Sequence, residues 1–510
     1  MQKLELSWIG KGQEPVVEPR ILLHTPDRDY GDPATDNMLI HGDNLLALKA
    51  LEQEFAGKVK CIYIDPPYNT GSAFEHYDDN LEHSTWLSLM VPRLQILHNL
   101  LSEDGLFFCS IDDKEHPYLQ VLCDEVFGRN NFRSNIVWKK VSSAKSQSKF
   151  VGNVIEYILV YSKTNDFTFN PMFLKSSEEN DNKNYPHIEQ ETGRRYGSFD
   201  FTQKGQGVAR IFWEELLEPP VGKHWIWTQE KIDKGISQGL IFKTSNGVPR
   251  LKRYLDNKKG TFISDLWADE LVAPIGANSK EAMNFFGQKS EGLISRILTL
   301  GSNPGDLVLD SFLGSGTTAA VAHKMGRRYI GIELGEHCYT HCIPRLQKVV
   351  DGEQGGISKA QNWQGGGGFK FYELAPTLIV TDKYGQPVFS EKYNPQMLVA
   401  AVAKLNGYSY SPDPQVFWKQ GKAQDASYIF VTTEYLTEAQ LDEISRDLPE
   451  YERLLVCAPA FDVGLSKRFE NIQVRKIPQS VLDKCEYGAQ DYNLNIVNPP
   501  GLDEEEREDA

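Results

Sequence analysis

From Asp306 to Leu334 the chain reads DLVLDSFLGSGTTAAVAHKMGRRYIGIEL: an apolar strand, a glycine turn, a helix and a second apolar strand. A strand that leaves through glycines into a helix, and returns as a strand, folds as a parallel β-α-β unit. The alternation also runs through the first third of the chain. A strand is predicted at Met38–Gly42, and a helix from Asp43 through Phe55 with Leu45, Leu48, Leu51 and Phe55 at helical spacing. Strands follow at Val59–Ile64 and Gly105–Asp112, separated by a helix over Thr85–Leu101. Another helix near Leu119–Phe127 leads to strands around Asn135–Lys140 and Glu156–Lys163. The expected fold class is α/β, with a parallel, doubly wound, Rossmann-like sheet.

The alternation breaks between about Asp166 and Asn284, so residues 166–284 are expected as an insert dividing one α/β domain into halves at 35–165 and 285–350. Residues 1–34 form an N-terminal arm. The glycine-rich run Gly352–Phe369 marks a boundary, read either as a flexible linker over 351–368 or as a bulged close approach of backbones. Beyond it, residues 369–495 suggest a small C-terminal α/β module, and 496–510 an acidic tail.

The chain of 510 residues carries a formal charge of −16, which at face value opposes a nucleic-acid partner. The charge is uneven, however: Asn131–Gly260 is +7, leaving −23 for the rest, and its basic residues are interleaved with aromatics. Such a stretch is equally a nucleic-acid surface or a solvated face beside core tryptophans. The cysteines are scattered, so no disulfide framework is expected, and no apolar run approaches the roughly 20 residues of a membrane span. With no secretory signal at the start, a soluble cytoplasmic protein is expected.

Gly314, Gly316 and Ala319 satisfy a dinucleotide fingerprint, and Glu333 falls near the expected ribose position, so the spacing alone permits NAD. Asp310 shifts the balance, because it closes the strand four residues before Gly314, where a pyrophosphate would meet its charge. A cofactor without phosphate, carrying an ammonium and a sulfonium, would instead be attracted. S-adenosylmethionine fits that description, with Glu333 accepting from the ribose hydroxyls.

The strand ending at Ile64 runs into Asp65, Pro66, Pro67 and Tyr68. The two prolines fix two φ angles and remove two donors, leaving a rigid turn that displays the Asp65 carboxylate and the Pro66 carbonyl. Two neighbouring acceptors suit a planar amino group, whose lone pair they draw out of ring conjugation toward an electrophilic methyl. Tyr68 could stack on the ring that carries the amine.

These segments, DPPYNTGS with LDSFLGSGTT, resemble the amino-methylating DNA methyltransferases, and their order resembles the beta class of that family. IHGDNLLALKAL is similar to the segment whose acid, here Asp43, reaches the cofactor's adenine. FFGQKSEGLISRIL resembles the segment beside the methionine end, with Lys289 at its centre, while Phe312 and Thr317 belong to the glycine-loop motif. RNNFRSNIVWKK, IEYILVYSK and GGGGFKFYEL extend the likeness to modification subunits of type III restriction systems. Leu313 stands where the pattern has alanine, Ser290 where proline follows the lysine, and Ile155 where histidine is frequent.

The resemblance implies a circularly permuted methyltransferase fold with an inserted target-recognition domain. It also implies base flipping, methylation of the adenine amino group in double-stranded DNA, a homodimer and a helicase-nuclease partner. Lys139, Lys140, Arg194, Arg195 and Arg253 are the expected DNA contacts. Methylation of the cytosine amino group and a silent DNA-binding specificity subunit remain alternatives. His337, Cys338, His341 and Cys342 lack a distant second ligand pair and read as a packed helix rather than a metal site. Ser110–His116 reads as a helix cap or pocket wall, and Trp225 and Trp227 as core at least as readily as DNA contacts.

Overall fold

The computed structural model describes residues 5–13, 17–18, 20–68, 79–141, 151–175, 178–276, 279–381, 387–390, 392–423 and 425–477. The acidic tail and the end of the C-terminal module, 478–495, lie outside the described residues, as does the continuation of the proline turn over 69–78.

The chain divides into two compact units, one made of residues 1–170 with 265–510, the other of 171–264. In the first, an eleven-stranded sheet carries the site. Its parallel centre runs in the order Gly368–Leu374, Met38–His41, Arg328–Glu333, Leu307–Asp310, Val59–Ile64 and Leu101–Ile111. The strands ending in Asp310 and Glu333 thus slot between two strands from the first part of the chain, Val308 pairing with Cys61 and Ile332 with Ile40. Late sequence and early sequence meet at one carboxyl edge, where open α/β sheets bind ligands.

The sheet is mixed rather than wholly parallel. Ile155–Ser162 pairs antiparallel with Leu101–Ile111 and with Phe132–Lys139, and Leu22–His24 is antiparallel to Gly368–Leu374. The central strands are apolar on both faces, as burial between helical layers requires. The helix Asn44–Phe55 buries Leu45, Leu48 and Leu51, and the helix Asp79–Leu100 buries Trp86, Met90 and Leu94 in the same core.

Several expected boundaries move. Residues 265–284, expected in the insert, belong with the large unit, because Leu266–Trp267 extends the sheet beside Val137 and Trp138. The N-terminal arm is not separate, since Leu22–His24 and Tyr30–Gly31 both pair with Gly368–Leu374. That strand, expected in the C-terminal module, is part of the central sheet. The expected linker before it is a close approach of backbones. Gly365, Gly366 and Gly367 have φ of 93°, 106° and 72°, His323 Nε2 lies 2.8 Å from the Gly366 carbonyl oxygen, and a Cβ on Gly365 would lie 2.7 Å from the Val350 oxygen.

The C-terminal module is a five-stranded sheet whose strands Ser427–Val431, Arg453–Ala458 and Ile472–Lys476 are parallel. The second unit has a four-stranded antiparallel sheet built on Arg195–Phe199 and Pro249–Tyr254. Its small core gathers Phe201, Phe212, Trp225, Ile232, Ile241 and Leu251, with Trp227 packed against it, so both tryptophans serve the core.

Candidate active site

At the exit of Val59–Ile64 the Pro66–Pro67 turn is held from behind, the Trp86 indole donating to the Pro67 carbonyl at 2.7 Å. It presents Asp65 and Tyr68 together: the Tyr68 hydroxyl donates to Asp65 Oδ1 at 2.6 Å. Lys289, contributed from 221 residues beyond Tyr68, lies 2.9 Å from Asp65 Oδ2 and 3.0 Å from the Tyr68 hydroxyl. The Lys289 ammonium thus stands at the proline turn, while its carbonyl reaches the glycine loop, accepting from the Thr317 hydroxyl at 3.2 Å. Ser290 uses its hydroxyl to cap the helix Glu291–Gly301, accepting from Leu293 N at 3.3 Å.

Glu156 completes the group and escaped the sequence reading. Its Oε2 is 3.2 Å from Lys289 Nζ and 3.1 Å from the Tyr68 hydroxyl oxygen, and its Oε1 is 3.5 Å from Lys140. The available signal was a lone carboxylate inside the apolar run IEYILVYS. Burial raises the Asp65 carboxyl above its ordinary range against the opposing pull of Lys289, and lifts the Tyr68 phenol well above its own. Burial would lower the Lys289 ammonium, but Asp65 and Glu156 outweigh it, and it stays charged.

One strand over, Asp310 accepts from the Thr318 hydroxyl at 2.6 Å and from Phe312 N at 2.9 Å. Burial pushes its carboxyl up to about 7. Gly314 and Gly316 adopt φ of 56° and 82°, left-handed conformations that let the loop turn into the helix Thr317–Lys324. Glu333, at the end of the next strand, accepts the Gly314 amide at 2.7 Å and the Gly335 amide at 3.0 Å, with His337 Nε2 2.8 Å away. Cys342 directs its thiol to the Gly314 carbonyl, so the His337–Cys342 segment braces the glycine loop.

Other expected site residues are engaged inside the fold. Asp43, 2% exposed, accepts from Leu46 N at 3.1 Å and faces Arg93 at 3.6 Å, so its carboxylate caps a helix instead of lining the crevice. Asp112 likewise caps its turn, accepting from Lys114 N at 3.1 Å. In the second unit Arg194 makes two 2.7 Å bonds to Asp256 and stacks 3.8 Å from the Tyr254 ring centre. Arg195 donates to the Tyr185 carbonyl and to Asn182 Oδ1, and Arg253 lies over Phe199. These internal partners are absent from the sequence pattern, and Lys139 is the expected DNA contact whose side chain has no hydrogen bond, ion pair or ring contact among the described residues.

Three acids, Asp65, Asp310 and Glu333, therefore stand at the carboxyl ends of successive strands beside a glycine loop. This set of acceptors suits a cationic, hydroxyl-bearing ligand, and the buried Asp310 carboxyl opposes a pyrophosphate.

Residues 59–343 match the profile of the family described as DNA methylase, more than half of the 510-residue chain, and the protein belongs to that family. It is 35% identical over 411 residues to a probable type III restriction-modification enzyme HindVI Mod subunit of Haemophilus influenzae, covering 68% of this chain and 55% of that one. It is 35% identical over 347 residues to the type II methyltransferase M.EcaI of Enterobacter cloacae, covering 65% and 75% respectively. The StyLTI Mod subunit of Salmonella typhimurium, a type III restriction-modification enzyme, is 30% identical over 362 residues, covering 62% and 55%. The chain thus spans about half the length of both Mod subunits.

Proposed function

We propose that the protein methylates the exocyclic amino group of adenine at specific sites in double-stranded DNA. We further propose that it is the modification subunit of a type III-like restriction-modification system in the cytoplasm, a homodimer that also partners a helicase-nuclease restriction subunit. Family membership and the two Mod relatives support this reading. The observation that carries it is the meeting of Asp65 and Tyr68 with the Asp310–Glu333 glycine loop on adjacent parallel strands.

S-adenosylmethionine, held by the glycine loop with Asp310 and Glu333, supplies an electrophilic methyl group. The chain's own work is done at the target amine. Tyr68, held by Asp65 and Lys289, offers an aromatic face to a base rotated out of the duplex. The Asp65 carboxylate and the Pro66 carbonyl accept the two amino hydrogens and turn the nitrogen lone pair out of the ring's conjugation. An Asp65 oxygen stands ready for the proton that the nitrogen sheds. No cysteine follows a proline in this turn, so the arrangement favours amino transfer over attack through a covalent ring adduct. The second unit, residues 171–264, with its aromatic and basic side chains, is assigned to target recognition.

Single-molecule sequencing of genomic DNA from a methylase-free host expressing the chain tests this. Methyladenine at one short motif, lost in Asp65→Ala, is expected. Methylcytosine would transfer the assignment to the other amino base, and identical modification by Asp65→Ala would overturn the mechanism.

A further inference from the structure

Both oxygens of Asp65 are already occupied within the chain, Oδ1 by the Tyr68 hydroxyl at 2.6 Å and Oδ2 by the Lys289 ammonium at 2.9 Å. An incoming amino group offers a neutral N–H donor, and an ammonium in a partly dry site is the stronger competitor for a carboxylate. Each oxygen keeps a further lone pair, but a carboxylate already engaged by an ammonium is a weaker acceptor for the amine, so Asp65 receives it best when its present partners are drawn elsewhere.

Glu156 is placed to receive them. It projects from the strand Ile155–Ser162, an otherwise apolar strand in which a carboxylate 9% exposed is costly to bury unless it is paired. Its Oε2 is 3.2 Å from Lys289 Nζ and 3.1 Å from the Tyr68 hydroxyl oxygen, against 2.9 Å and 2.6 Å for the same groups at Asp65. Both partners of Asp65 can therefore shift toward Glu156 through small displacements. Lys140, 3.5 Å from Glu156 Oε1, holds the carboxylate from its other side.

Resting on the amino-methylation reading, we propose that Glu156 is a positioning residue: it takes over Lys289 and the Tyr68 hydroxyl as the target base enters, and so releases Asp65 to accept the amine. Without Glu156, Lys289 is committed to Asp65 and the resting contact becomes an obstruction.

The test is single-turnover methyl transfer from tritiated S-adenosylmethionine to plasmid DNA from a methylase-free host, using the full chain. Glu156→Gln is expected to slow transfer at least tenfold with cofactor affinity, measured by calorimetry, within about twofold of wild type. Lys289→Met removes the competing cation, so Glu156→Gln/Lys289→Met is expected to be faster than Glu156→Gln alone. Wild-type rate in Glu156→Gln, or a double variant no faster than that single variant, overturns the proposal; a merely structural defect gives the second result. Wild-type protein that transfers nothing, or Asp65→Ala that transfers normally, overturns the amino-methylation reading and this inference with it. Active wild type beside an unaffected Glu156→Gln removes this inference alone.

Discussion

Glu333 and Gly314 are bonded to each other across neighbouring strands, the Gly314 amide donating to Glu333 Oε2 at 2.7 Å. The acid that ends one strand thereby fixes the turn that leaves the other, and Gly335 and His337 hold its second oxygen. Glu333→Gln keeps the volume but weakens a charge-assisted acceptor, an effect on the order of 1.5–3 kcal/mol for hydrogen bonds to a charged group. Calorimetric titration with S-adenosylmethionine is expected to give a Kd raised about 10- to 100-fold. An unchanged Kd would remove Glu333 from the cofactor site.

Asp310 gives the site a dependence on pH. Its carboxyl is raised by burial from 3.8 to about 7, with the Thr318 hydroxyl and Phe312 amide opposing the shift. Only the ionised form attracts a cationic cofactor, so affinity falls as pH is lowered through about 7, toward tenfold per unit below it, and binding releases a proton. Stability runs the other way. The folded value lies above the unfolded one, so this group's stabilising contribution is complete below about 4 and is lost as pH rises through about 7. Asp310→Asn should melt higher than wild type at pH 8 without cofactor, yet bind cofactor weakly and with a flat pH profile. A variant that melts lower, or keeps the pH dependence, would contradict this origin.

The two chemical turns were legible because each is written in consecutive residues: a strand, then Asp65 to Tyr68, or a strand, then Asp310 to Gly316. Turn chemistry and strand ends are local properties. The pairing of those turns with Lys289 and Glu156 was not, since nothing near Lys289 specifies a carboxylate 224 residues earlier. Asp43 exposes a different ambiguity. A helix-capping acid and a ligand-binding acid occupy the same position at a strand-to-helix turn, and only the Leu46 amide and Arg93 separate the two. The glycines at 365–367 resisted for a third reason: composition gives freedom of φ, while the use of that freedom depends on Val350 and His323.

Basic residues in and around the insert should differ sharply in their effect on DNA. Arg194 is bonded to Asp256 and stacked on Tyr254, whereas Lys139 ends a strand of the central sheet. Each phosphate contact contributes about 0.9 to the slope of log K against log salt for duplex DNA. Lys139→Ala is expected to flatten that slope by about one unit, and Arg194→Ala to leave it unchanged, as read by fluorescence anisotropy across a salt series. The reverse pattern would assign phosphate contact to Arg194 in spite of its internal partners.

Leu313 departs from the alanine expected in the glycine-loop motif, and the sheet has a matching space. A Cβ on Gly331, in the strand that ends at Glu333, would lie 2.7 Å from Leu313 Cδ2 and 3.1 Å from its Cδ1. Leu313 is buried, so the obstruction cannot swing into solvent. Gly331→Ala is therefore expected to overpack the interface, costing about 1–3 kcal/mol, and Leu313→Ala to leave a cavity costing about 2–5 kcal/mol. Combined, each substitution relieves the other: the added methyl occupies part of the vacated volume, and the clash is gone. The double variant should be destabilised by clearly less than the sum of the singles, measured by urea unfolding at matched m-values. Simple additivity would mean that the strand shifts to admit the new methyl independently of Leu313, and the leucine would then owe its place to something other than the missing side chain at Gly331.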